Sequence, residues 1–102
     1  MRLEARNRLV MTSGSVAARR ASSRQDCYAW VWVVPLRTGQ FRIAAIEVPK
    51  HLVDDDEDFY DEDMFTSYVK IVDAIDQVDT AVQEAGADPE SLDAPWRSNF
   101  PL

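Results

Sequence analysis

One cysteine, one histidine and three glycines occur in this chain, and each scarcity removes a class of function. A lone thiol, Cys27, cannot form an intrachain disulfide and is too little for a cysteine metal site. It reads as a small, partly buried thiol beside a strand, at home in a reducing cytoplasm. His51 is the sole imidazole, so a nucleophile, base and orienting group have few members to be drawn from. No residue is assigned a catalytic role, and an enzyme is not expected. Gly14, Gly39 and Gly86 lie far apart, so no glycine-rich loop can cradle a phosphate. The longest apolar run, Tyr28–Leu36, is strand-sized and contains a proline, whereas crossing a bilayer takes roughly 20 apolar residues.

What the chain has in excess is carboxylate, and it is unevenly placed. Residues 1–50 hold nine Arg/Lys and three Asp/Glu, a net of +6, while residues 51–102 hold two and fifteen, a net of −13. Eight of the ten residues at 54–63 are acidic: Asp54, Asp55, Asp56, Glu57, Asp58, Asp61, Glu62 and Asp63. The other two, Phe59 and Tyr60, are aromatic. Such a patch repels itself when close-packed, so it is expected to be solvated, bound to cations, or aimed at a basic partner. The overall charge of −7 disfavours direct binding to nucleic acid or to an anionic membrane.

An orderly calcium loop fails on spacing. Counted from Asp54, the first three ligand places fall on Asp54, Asp56 and Asp58, but the glycine of position 6 is Phe59 and the bidentate glutamate of position 12 is Phe65. No metal site and no cofactor are therefore assigned. Loose binding of a divalent cation stays as a weak alternative.

At 102 residues the chain is one small domain, and an apolar fraction of 46% with ten aromatics suffices for a core. Residues 1–26 read as a basic, flexible extension, with a short strand or helix at 2–11 and a linker or tail at Thr12–Asp26. Their Arg-, Ser- and Ala-rich composition loosely matches a transit peptide, and Met11 offers a second start. Arg19, Arg20 and Arg24 would form at most an anion-binding or self-masking arm. Residues 27–102 are the folded part.

Tyr28–Val34 is the clearest strand, apolar on both faces and so central or partnered. Pro35 ends it, and Arg37 to Gln40 make the turn, with Gly39 free to take positive φ. The return strand, Gln40–Val48, changes apolar phase at Ala44-Ala45; a bulge there would put Phe41, Ile43, Ile46 and Val48 on one face. From Met64 to Ala85, Met64, Tyr68, Ile71, Ile75, Val78 and Val82 recur at alternating spacings of four and three. That predicts one long amphipathic helix closed by Gly86. Asp88-Pro89 predicts a short turn through Leu92. An extended tail would follow, with Trp96 and Phe100 stapled to the sheet.

The expected fold is thus α+β, an antiparallel hairpin packed by one long helix. The expected function is that of a non-enzymatic acidic binding protein that neutralises or regulates a basic protein, such as a toxin or nuclease. Immunity proteins, antitoxins and nucleic-acid mimics need this chemistry, because the grooves they cover are themselves basic. The run at 54–63 would steer, with Phe59 and Tyr60 as anchors. The rival reading is an accessory subunit that oligomerises, as a homodimer for instance, through the Trp-rich strand.

Overall fold

Both faces of the strand Tyr28–Val34 are apolar, and the computed structural model shows what covers each. The structure describes residues 1–54 and 64–101. Helix α1 (Leu3–Met11) leads into strands β1 (Val16–Arg20), β2 (Cys27–Pro35) and β3 (Phe41–Pro49). A short helix α2 (Lys50–Asp54), strand β4 (Phe65–Val72) and helix α3 (Val78–Glu84) follow. The strands form one antiparallel sheet in the order β1-β2-β3-β4, giving a small compact α+β domain.

On one face Val16, Ala18, Val31, Val33, Phe41, Ile43 and Ala45 meet α1 through Ala5 and Leu9, and α3 through Val78, Ala81 and Val82. On the other face Ala17, Trp30, Ala44, Ile46 and Val48 meet Phe100 from the C-terminal segment, with Leu52 and Val53 of α2 at the margin. Phe100 stands edge-on to Trp30, with ring centroids 5.7 Å apart. The Trp30 indole N–H donates to the Ser98 carbonyl at 2.9 Å, so the buried ring keeps its one polar atom satisfied. The staple is therefore Phe100. Trp96, expected beside it, is 65% exposed and carries the Arg8 guanidinium over its ring. A 3-10 turn, Pro95–Ser98, stands where extended backbone was expected.

The long helix expected over 64–85 does not form. Its first half is β4, which pairs with β3 from Phe41↔Val72 to Glu47↔Phe65. Two forces favour this. Thr66, Val69, Ile71 and Val72 are β-branched and lose side-chain freedom in a helix. More decisively, β3 is buried on both faces, and without β4 its outer backbone groups would lack partners. The helical spacing survives only from Ile75 onward. The chain breaks at Asp73-Ala74, whose two N–H groups both donate to the Gln77 side-chain carbonyl, at 2.9 and 3.0 Å.

The helix ends where Gly86 predicts. Gly86 takes φ +97°, its N–H reaches the Gln83 carbonyl, and the Ala87 N–H reaches Val82, a paired closure that only a left-handed residue permits. The turn at Pro89–Ser91 also forms, capped by the Asp88 carboxylate accepting from the Glu90 N–H at 3.0 Å.

The bulge sits elsewhere than expected. β2 and β3 pair without interruption from Cys27↔Pro49 to Pro35↔Phe41. The register shift lies between β3 and β4, where Ala45 faces Tyr68 but Ile46 faces Thr66, leaving Ser67 as the extra residue. The apolar phase change in β3 needs no bulge, since each of its phases feeds a different core.

The Thr12–Asp26 segment, expected as linker or tail, holds β1. Val16, Ala17 and Ala18 are all at 1% exposure or less, and α1 before them contributes Leu9 at 2%. Leu9→Ala is expected to cost about 2–5 kcal/mol in denaturant unfolding; a loose N-terminal extension would show no change.

Candidate functional site

Of the ten acidic-run residues assigned to partner binding, Asp54 lies within the described part. Asp55, Asp56, Glu57, Asp58, Phe59, Tyr60, Asp61, Glu62 and Asp63 lie outside the described residues. Asp54 ends α2, and its carboxylate accepts the Tyr28 hydroxyl at 2.8 Å. That bond, more than burial, raises the Tyr28 phenol above its ordinary value. The Tyr28 ring in turn lies beneath Arg19, at 4.6 Å, and Lys50, at 5.5 Å. The start of the acidic run is thereby tied to the strand that forms the centre of the sheet.

Asp73, Asp76, Glu84, Asp88 and Glu90 are exposed. Few of the cations of the first fifty residues are spent on them. Arg19 lies over Tyr28 and Trp30, Arg24 over Phe65 at 3.9 Å, and Arg8 over Trp96, with its Nε donating to the Ser15 carbonyl. Arg20 reaches Glu47, and Arg2 reaches Asp93 at 2.7 Å. Among the described residues, the ion pairs that join the two halves are Met1 with Asp79 and Glu90 and Arg2 with Asp93, while Arg8, Arg19, Arg24 and Lys50 lie over rings.

One charged cluster was not foreseen. Glu47 is 2% exposed and accepts from the Ser22 hydroxyl, from the Ser23 N–H at 2.8 Å and from the Ser23 hydroxyl at 2.7 Å. The Arg20 guanidinium lies 3.8 Å away. Burial alone would push this carboxyl up, but the serine hydrogen bonds and Arg20 outweigh it and hold it below its ordinary 4.5. Every oxygen of the carboxylate is engaged, so the cluster fastens the β1–β2 loop onto β3 and offers no free base. An acid set within an otherwise apolar strand, Ile46-Glu47-Val48, was the available signal.

Cys27 and Tyr68 are both held in their protonated forms. Cys27 is buried, its thiol pushed up first by burial and then by Asp26, with the Asp26 carboxylate 3.7 Å away as its hydrogen-bond partner. That favours the inert thiol over the thiolate. Tyr68 is pushed up to about 12 by burial and by its bond to Glu84, so it too stays protonated. A cleft of about 230 Å³ lies between the end of α1 and the β2–β3 turn, lined by Leu9, Val10, Leu36, Gln40 and Phe41 among others. It is below the usual 300–1,000 Å³ of ligand pockets and has no charged group in its wall. Among the described residues, no three His, Cys, Asp or Glu side chains are grouped to hold a metal ion. None of their helices is long and apolar enough to cross a membrane.

The Trp-rich strand proposed as an oligomer surface lies inside the chain's own sheet. Trp30 is at 0% exposure, and Trp32 packs on Phe100 at 5.1 Å. The exposed apolar surface of the sheet is on β4, at Phe65, Val69 and Ile71.

No protein-family model, no curated protein and no solved structure matches this chain.

Glu47→Gln is expected to cost about 1–3 kcal/mol at pH 7, by turning a charge-assisted acceptor set into a mismatched amide. Because the folded carboxyl titrates below 4.5, its stabilisation is complete above that pH and is lost as pH falls through the folded value. The gap between parent and variant in urea unfolding should therefore be flat from pH 7 to about 5 and narrow below about 4.5.

Proposed function

We propose that this is a non-enzymatic acidic binding protein that neutralises or regulates a basic protein partner, in the manner of an immunity protein or antitoxin, in the cytoplasm. One observation carries the reading: residues 51–102 hold a net −13, while among the described residues Arg19, Arg24 and Lys50 of the first half lie over aromatic rings and Arg20 pairs with Glu47 of its own half. An excess of carboxylate raises the encounter rate with a cationic surface and repels nucleic acid and anionic lipid. Asp54 and the acids at 55–63 steer the approach in this reading, with Phe59 and Tyr60 as anchors. The second reading, an oligomeric accessory subunit, draws on the exposed apolar residues of β4.

Replacing the eight acids of residues 54–63 by Ser/Asn tests the reading against the basic protein recovered with the tagged chain from its source cell. The association rate should fall by one to two orders of magnitude at low salt. The parent's steep salt dependence should flatten as well, since exposed charges are screened over about 8 Å at physiological ionic strength. Unchanged affinity and unchanged salt slope would refute it.

A further inference from the structure

The two outer strands of the sheet are finished differently. β1 is closed: Ala17 exchanges both backbone hydrogen bonds with Asp93, at 2.9 and 3.1 Å, and the last turn of the chain packs beside it. β4 pairs with β3 alone among the described residues. Proteins usually blunt such an edge with prolines, several charges or a very short strand. β4 runs eight residues without proline, and its one charge, Lys70, is drawn to Glu84 at 3.5 Å. Phe65, Val69 and Ile71 are 41%, 53% and 52% exposed. Val69 and Ile71 are two apart, opposite Ala44 and Arg42 of β3, so they share a face and form one continuous apolar strip.

We propose that the open edge of β4 takes up an extended, lysine- or arginine-bearing segment of the basic partner as a fifth strand, whose apolar side chains lie against Val69 and Ile71. Main-chain pairing supplies affinity in this mode and alternate side chains supply selectivity. Charge selects the occupant. A second copy in antiparallel pairing would set one chain of net charge −7 on another, with Asp73 and Asp76, both exposed just past β4, facing like charge. A cationic segment meets the same carboxylates as attraction. The inference rests on the basic-partner reading and adds where and in what conformation that partner binds.

The probe is a synthetic seven-residue peptide of alternating lysine and valine, against a control whose central valine is proline, with equal charge but no capacity to pair along its length. Binding to the full chain is followed by titration, and the amides of residues 65–72 by NMR hydrogen exchange. The alternating peptide should bind at least about tenfold more tightly than the proline control, with exchange slowed along β4. Val69→Thr with Ile71→Thr, which keeps β-branching and hence the strand, should weaken it by on the order of tenfold without lowering the melting temperature appreciably. If both peptides bind equally with the same salt slope and β4 exchange is unchanged, the edge is not the dock, although the basic-partner reading stands. If neither binds at low salt, both fall. If sedimentation shows a dimer that the double variant dissociates, the edge belongs to a second copy and the proposal is overturned.

Discussion

The constraint on which the structure depends is that β2 and β3 are apolar on both faces in a chain of 102 residues. A sheet buried on one side can leave the other wet, but this one cannot. Two covers must be found from little material, and nearly every remaining segment is committed to one of them. α1 and α3 close one face, while Phe100, Leu52 and Val53 close the other. That demand recruits the N-terminal residues into the core and brings the C-terminal segment back across the sheet. It also settles the contest over residues 65–72, because a strand buried on both faces needs its backbone paired along both edges.

The same constraint explains the buried acid Glu47. Residue 47 alternates onto the face shared with Val31, Val33 and Ile43, and a carboxylate there is costly unless it is bonded at each oxygen. Ser22, Ser23 and Arg20 supply those bonds from the β1–β2 loop. A polar Arg-Ser segment therefore becomes structural through a partner 24 or 25 residues away. Nothing in the local composition of Ser22-Ser23-Arg24 announces that role.

This separates what was legible in the sequence from what was not. The β2–β3 hairpin, its turn at Gly39, the Gly86 closure and the Asp88 cap rest on short-range rules, such as alternation, positive φ and capping, and each appears where those rules put it; the staple, expected of Trp96 and Phe100 together, is a long-range contact made by Phe100. β1 and β4 were missed because their warrant is long-range. Val16–Arg20 contains two alanines and two arginines and has no strand signal of its own; only the pairing with β2 makes it one. In residues 64–82 a four-three apolar spacing competes with β-branching, and tertiary pairing decides for the strand over the first part. The candidate site was legible as charge but not as place. Asp54 joins Tyr28 of the central strand, and the apolar strip of Val69 and Ile71 emerges only once β4 is seen to be a strand, since a helix would have divided those two side chains between different faces.

The charge division gains a structural meaning from these placements. A chain with nine cations in its first half and fifteen anions in its second could have neutralised itself by folding one half against the other. Instead Arg19, Arg24 and Lys50 lie over aromatic rings, where the guanidinium or ammonium gains from the ring quadrupole without needing a carboxylate. Ring stacking thus does for these cations part of what ion pairing would otherwise do. Keeping such an excess in one half has a cost in self-repulsion, whereas the net charge of −7 lies within the about 2–8 that keeps a small domain soluble when the signs are interspersed. Here the signs are segregated. Segregation rather than total charge is what a directional encounter with a cationic surface requires, and it is the property that both the sequence and the ring-bound arginines preserve.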